Sequence, residues 1–166
     1  FETLWQAGQA HGMMLCGMHM MDSCRIEKGF RHFGHDITCE DHVLEAGLGF
    51  AVKTDKPAFI GRAAVLEKRQ TGLETRLVQF KLTDPQPMLY HNEPILRDGE
   101  IVGYLSSGAY GHHLGAAIGM GYVPCKSESA AQVLASRYEI DVAGIKVGAE
   151  ASLRPMYDPT SQRVKA

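Results

Sequence analysis

No stretch of this 166-residue sequence is basic enough to follow a phosphate backbone, because 17 Lys and Arg are scattered among 19 Asp and Glu. Nucleic acid is therefore not expected as a partner. Long apolar runs are absent as well. None approaches the roughly 20 residues that a membrane-spanning helix needs, and no basic-then-apolar leader opens the chain, so no membrane association is expected. Only four cysteines occur, at 16, 24, 39 and 125, with spacings that match neither a CxxC metal pair nor a compact disulfide framework. They read as reduced thiols of a cytoplasmic protein, or of a mitochondrial-matrix protein in a eukaryote. The GxGxxG dinucleotide fingerprint and the GxSxG nucleophile elbow are missing too, which argues against a self-contained hydrolase. His32 and His35 are three apart and His112 and His113 adjacent, but no cysteine or carboxylate completes either pair at a zinc-like spacing, so no metal site is expected.

What is present begins with an amphipathic pattern. Phe1, Leu4, Trp5 and Ala7 predict a short helix over residues 1–11, ended by Gly8 and Gly12. With no initiator methionine and no capping residue ahead of it, this start reads as the interior of a longer protein. An exposed apolar patch is then expected near Phe1, Leu4 and Trp5. A second helix is predicted over residues 15–27 and closed by Gly29 in a left-handed cap. Met14, Met18, Met21 and Arg25 follow at steps of four, three and four, which puts Arg25 on an apolar stripe. An arginine there reaches outward along its own stem, meets the anion of a ligand, or pairs with a carboxylate such as Glu27, Asp36 or Glu45. Spacing leaves these open.

Residues 30–42 have no hydrophobic period and form a surface or site loop. Residues 48–52 read as a strand and 61–70 as a helix closed by Gly72. Beyond Gly72 the character changes. Residues 75–82 alternate apolar and polar, and two short runs flank Asp98-Gly99, the signature of a type I′ hairpin. Further strands are predicted at 102–107, 116–123, 138–142, 145–147 and 152–155, with a helix at 130–136. The expected class is α+β: a partial α+β layer over 1–72, belonging to a larger domain, then an antiparallel Greek-key β-barrel over 73–166. The run from Ser107 to Gly115 sets three further glycines around Tyr110, His112 and His113. It is either a tight loop that offers Tyr110 to a ligand or a turn whose Tyr110 covers the barrel end.

The run Asp22-Ser23-Cys24-Arg25-Ile26-Glu27-Lys28-Gly29-Phe30-Arg31, with Gly34-His35-Asp36, Leu44-Glu45-Ala46-Gly47-Leu48 and Phe59-Ile60-Gly61-Arg62, resembles the carboxy-terminal folate domain of dimethylglycine and sarcosine dehydrogenases. That domain is similar in turn to the glycine cleavage T-protein, an aminomethyltransferase. The segments Ser107–His112 and Gly119–Val123 resemble the dehydrogenase branch more closely. The resemblance covers nearly the whole chain. It implies tetrahydrofolate as cofactor and a small N-methyl amine as substrate. It also implies an FAD domain and the first half of the folate domain in preceding sequence, with the catalytic residues there and none here. Arg25 is implied as a folate contact. Phe33, where aminomethyltransferases often carry tyrosine, is implied as a ring that packs on the ligand, and Tyr110 is the third cofactor-binding candidate. Tyr90 stands where aminomethyltransferases carry arginine. On this reading the chain supplies part of a site and performs no reaction by itself. The alternatives are a fragment of an aminomethyltransferase or a non-catalytic folate-binding module.

Overall fold

From Thr75 onward the alternating residues build strands, and the strands close on themselves. The computed structural model describes residues 1–126 and 128–165. Its barrel comprises β1 (Thr75–Leu82), β2 (Pro94–Arg97), β3 (Glu100–Gly111), β4 (Ala116–Pro124), β5 (Tyr138–Val142) and β6 (Ile145–Ser152), in the closed order β1-β4-β3-β2-β5-β6. All neighbouring pairs are antiparallel. The run β2-β3-β4 is a meander, and β1 lies beside β4 after a long connection, which is a Greek key read from its far end. Closure leaves no open sheet edge to recruit another strand. The Asp98-Gly99 turn has φ of 54° and 94° at its two central residues, the type I′ geometry that matches strand twist.

Helices lie outside this barrel: α1 (Glu2–Gln9), α2 (Met18–Glu27), α3 (Arg62–Thr71), α4 (Ala130–Ala135) and the terminal turn α5 (Gln162–Lys165). Ser129 caps α4 through a capping box with Gln132. Gly29, at φ 63°, ends α2: its N–H donates to the Ile26 carbonyl and the Phe30 N–H to that of Arg25, the paired bonds of a Schellman motif.

The core has two layers. Val78, Phe80 and Leu82 of β1 point into the barrel with Ile95, Leu105, Ile140 and Tyr138. The opposite faces of β1 and β4 present Leu77, Ile118 and Met120 to Ile26 of α2. Two-sided burial is why β4 carries no charged side chain, while the polar positions of β1 include the buried Gln79. Ile26 is fully buried, which contributes about 1.5–3 kcal/mol. The buried Gln79 closes the seam: its Nε2 donates to the Ile26 carbonyl at 2.6 Å and its Oε1 accepts the Met156 N–H at 2.9 Å. Lys28 Nζ reaches the Asp158 carbonyl oxygen at 2.6 Å, so the chain's last segment also fastens α2.

Several expectations are corrected. Residues 48–52 form a 3₁₀ turn at Gly49–Ala51 in place of a strand; the chain enters it from Gly47, which has φ 71°. Residues 1–72 contain helices, turns and a single isolated bridge, Phe33 to Ile37, but no strand ladder, so the β part of the α+β architecture resides in the barrel. Residues 153–155 are not a separate strand, since β6 already ends at Ser152. The run from Ser107 is no loop: β3 continues to Gly111. The methionine stripe does not mark the buried face of α2. Met14 precedes the helix, Met18 and Met21 are exposed, and the residues that α2 buries are Ser23, Ile26 and Glu27. Phe1 and Leu4 are exposed as expected, while Trp5 is half-buried with its ring stacked on Phe1. No helix among the described residues is long and apolar enough to cross a membrane.

Glu45 ties the helical part to the barrel. Its Oε1 accepts the N–H groups of Glu74 (2.8 Å) and Thr75 (3.4 Å) and lies 2.9 Å from Lys68 Nζ. Burial by itself pushes this carboxyl up, but Lys68 and the two amides outweigh it, so its pKa falls below the ordinary 4.5. A depressed carboxyl contributes stability in full above its unfolded pKa and loses it as pH falls through the folded value. Glu45→Gln is therefore expected to lower the Tm at neutral pH, with the gap to the parent closing as pH drops from about 5 to about 3. Thermal unfolding across that range checks this; a gap of constant size contradicts the linkage.

Candidate functional site

A β-bulge sets the geometry of the site. β3 pairs with β4 at Leu105↔Gly121 and then at Ser107↔Met120, leaving Ser106 as an extra residue. Consecutive side chains of a regular strand face opposite sides, and an inserted residue re-aims them. The hydroxyls of Ser106 and Ser107 thus both donate to Asp36 Oδ1, the first at 2.5 Å. Asp36 Oδ2 accepts Arg25 Nη1 at 2.6 Å and the His32 N–H at 2.8 Å. The carboxylate is wholly buried and each oxygen has two donors, which is how a buried charge is tolerated.

Arg25 is held in consequence. Besides Asp36, its Nη1 donates to Ser107 Oγ at 3.1 Å and its Nε to Asp22 Oδ1 at 3.2 Å. Nη2 has no protein partner among the described residues. Beside it opens a cleft of ≈ 420 Å³ between α2, the loop carrying His32 and His35, the segment 88–91 and the end of β3. Gly108 makes this wall possible. A Cβ at that position would stand 2.7 Å from the Leu89 carbonyl carbon and 2.8 Å from the Tyr90 nitrogen, so only glycine lets the 88–91 backbone cross the strand. Tyr110 lines the same cleft with the His112 ring edge-on at 5.2 Å. His32 and His35 stack at 4.4 Å between centroids. Among the described residues no group of three His, Cys, Asp or Glu is placed to hold a metal ion.

Glu27 fixes the turn after β3. Its Oε1 accepts the His113 and Leu114 N–H groups at 2.7 and 3.3 Å, and its Oε2 lies 2.8 Å from His113 Nδ1. Arg31 is tied to backbone carbonyls, donating to Ala46 and Gly29 at 3.0 and 2.6 Å. Burial lowers its pKa, with Asp36 and Tyr122 opposing that shift.

Of the three residues singled out from the sequence, Arg25 and Tyr110 meet in this cleft. Phe33 is 65 % exposed and does not line it, because the chain turns at Gly34 and carries the ring outward. For Arg25 the pairing with a carboxylate is the reading observed, with Asp36, and the side chain also lines the cavity.

Residues 75–158, half of the chain, match the glycine cleavage T-protein C-terminal barrel domain, and residues 1–56 match the GCVT N-terminal domain. The chain belongs to the glycine cleavage T-protein family. Members similar to it include a 4-methylaminobutanoate oxidase (formaldehyde-forming) of Paenarthrobacter nicotinovorans, 40 % identical over 99 % of this chain and 19 % of that protein. The mitochondrial sarcosine dehydrogenase of Homo sapiens is 36 % identical over 99 % of this chain and 18 % of its own length. The crystal structure of the glycine cleavage system aminomethyltransferase T from Bartonella henselae aligns with a TM-score of 0.71 and 27 % identity, over 83 % of this chain and 38 % of that one. This chain therefore spans about a fifth of the length of the two curated relatives.

Sequence reasoning named Asp36 as one carboxylate among three and as part of a family-like motif, and it weighed Ser106 and Ser107 only as a nucleophile motif, which they lack. Nothing local marks a bulge there. The Asp36 cluster has a measurable consequence. Asp36→Ala leaves the Arg25 guanidinium, whose side chain is only 14 % exposed, without its main partner; a loss of about 3–5 kcal/mol is expected on denaturant unfolding. Combining it with Arg25→Met should recover part of that loss. Parental stability in the single variant would show that the pair is not a buried anchor.

Proposed function

We propose that this chain forms one wall of a tetrahydrofolate site in a folate-dependent, FAD-linked N-methyl amine dehydrogenase of the dimethylglycine or sarcosine type. The observation that carries this is the cleft itself: a pre-set guanidinium with one unused N–H edge, next to flat aromatic and imidazole rings, in a cavity of ≈ 420 Å³. That volume suits a small-molecule ligand, for which roughly 300–1,000 Å³ is typical. Family membership and the similarity of nearly this whole chain to about a fifth of a 4-methylaminobutanoate oxidase and of a sarcosine dehydrogenase support the same class.

The residues present fit such a cofactor. Tetrahydrofolate, when bound, supplies the acceptor for a one-carbon unit. Arg25 Nη2 donates to an anionic or carbonyl oxygen, Tyr110 and Tyr90 cover a flat ring system, and Met88 helps to exclude water. Asp36 does not serve as the base, because all its acceptor positions are spent on Arg25, His32 and the two serines. Proton transfer and the flavin are assigned to preceding parts of a longer polypeptide, in keeping with the fraction of the relatives that this chain spans. The exposed apolar side chains of α1 and α2, among them Leu4, Met18 and Met21, are the surface for that remainder. Four free thiols, three of them exposed, suit a reducing cytoplasmic or mitochondrial-matrix compartment. The likeness to an aminomethyltransferase structure favours one second reading, a transferase without flavin, and flavin absorbance of the intact polypeptide separates the two.

Calorimetric titration of the intact polypeptide with tetrahydrofolate tests the site. Arg25→Ala is expected to weaken binding by about 1.5–3 kcal/mol, and Arg25→Lys to restore only part of it, because an ammonium lacks the planar fork. Amine oxidation at a separate flavin should persist. Unchanged affinity in a still-folded Arg25→Ala variant removes the assignment.

A further inference from the structure

A second cavity, of ≈ 410 Å³, lies between the C-terminal end of α3 and the start of β1, away from the cleft described above. Its polar lining is lopsided. Lys68, Arg69 and Arg76 contribute positive charge against the single carboxylate of Glu128. Glu128 is already spent: both its oxygens are taken by Arg97, Oε1 at 3.1 Å from Nη1 and Oε2 by Nη2. Lys68 is balanced by Glu45 at 2.9 Å. Among the described residues Arg69 has only a neutral partner, the Thr54 hydroxyl at 2.8 Å. Arg76 has no carboxylate partner among the described residues, only the neighbouring Cys125 thiol, and its Nε is sealed from solvent without an acceptor. A buried donor left in this state is destabilising, and an incoming acceptor would relieve it. Cys125 lines the cavity too, but its thiol donates to the Leu73 carbonyl oxygen at 3.6 Å and burial pushes its pKa up, so it is no nucleophile.

We propose that this cavity binds a small organic phosphate monoester, with the half-buried Arg76 as the anchor and Arg69 and Lys68 at the phosphate from the α3 side. Two guanidinium groups without a carboxylate partner among the described residues, one from α3 and one from β1, match a dianion whose charge is gathered on one head, as in a phosphate monoester near neutral pH. The volume exceeds what a bare phosphate fills, and Leu73 offers an apolar surface for an organic body. The site is built around α3, which lies between the two family-matched stretches, 1–56 and 75–158. It does not depend on the folate reading.

The test is calorimetric titration of the intact polypeptide with phenyl phosphate, with inorganic phosphate and succinate as references. Hydrogen exchange over residues 68–76 reports the location. Phenyl phosphate is expected to bind saturably and more tightly than either reference and to slow exchange in that segment. Arg76→Gln should weaken it about tenfold or more. Arg69→Gln, at an exposed position that does not endanger folding, should weaken it severalfold, and neither variant should alter a tetrahydrofolate titration. Absence of saturable binding, affinity unchanged in both variants, preference for succinate, or protection elsewhere than 68–76 would each overturn the proposal.

Discussion

A buried carboxylate, Asp36, is the constraint on which the rest of this molecule depends. An ionised group with no exposure to water is tolerated only when its oxygens are fully occupied, and here the occupants come from three different elements: Arg25 from α2, the His32 amide from the following loop, and two serines from β3. Satisfying that one group fixes the angle of α2 over the barrel, the path of the loop and the bulge in the strand at once. The cleft is the space left between elements so fixed. Its shape is a by-product of charge satisfaction, and no flexible segment is needed to form it.

The barrel supplies the rigid side of this arrangement. β1 and β4 are buried on both faces, inward by the barrel core and outward by Ile26 and the α2 seam. A buried glutamine, Gln79, then binds the end of α2 and the segment around Met156 with the two halves of one amide. Because each partner of such an amide would otherwise be an unsatisfied buried polar group, the seam resists sliding more strongly than an apolar contact of equal area. Register is thereby transmitted from the barrel to Arg25, the neighbour of Ile26 in α2.

Local signals were legible in the sequence, and relations across the chain were not. The Asp98-Gly99 hairpin, the Gly29 and Gly72 helix ends and the alternation of residues 75–82 follow from backbone preferences within a few residues, and the structure reproduces them. The failures have a common origin. A run such as Leu48–Val52 reads as a strand, yet among the described residues no strand pairs with it, and it settles into a 3₁₀ turn. The methionines of α2 look like a buried stripe, but the barrel meets Ile26 and Glu27 and leaves Met18 and Met21 exposed. The Ser106-Ser107 pair acquires its meaning from a bulge opposite Met120, which only the strand pairing defines. For Arg25 the type of partner was foreseen, and its identity, Asp36, required the fold.

The two arginine sites differ in what they offer a ligand. Arg25 is neutralised at close range by Asp36 and again by Asp22, so its field beyond the cleft is weak; what it presents is a directed N–H whose position is already set. Such a group selects by geometry, and its contribution to affinity comes without the entropy of ordering a long side chain. Arg76 is the reverse case, since no carboxylate among the described residues balances it and its Nε is unpartnered. Its charge acts at longer range and attracts any small anion, with discrimination left to the walls of the cavity. Under the two proposals one arginine orients a ligand and the other attracts one, and the difference follows from whether a carboxylate was folded in beside it.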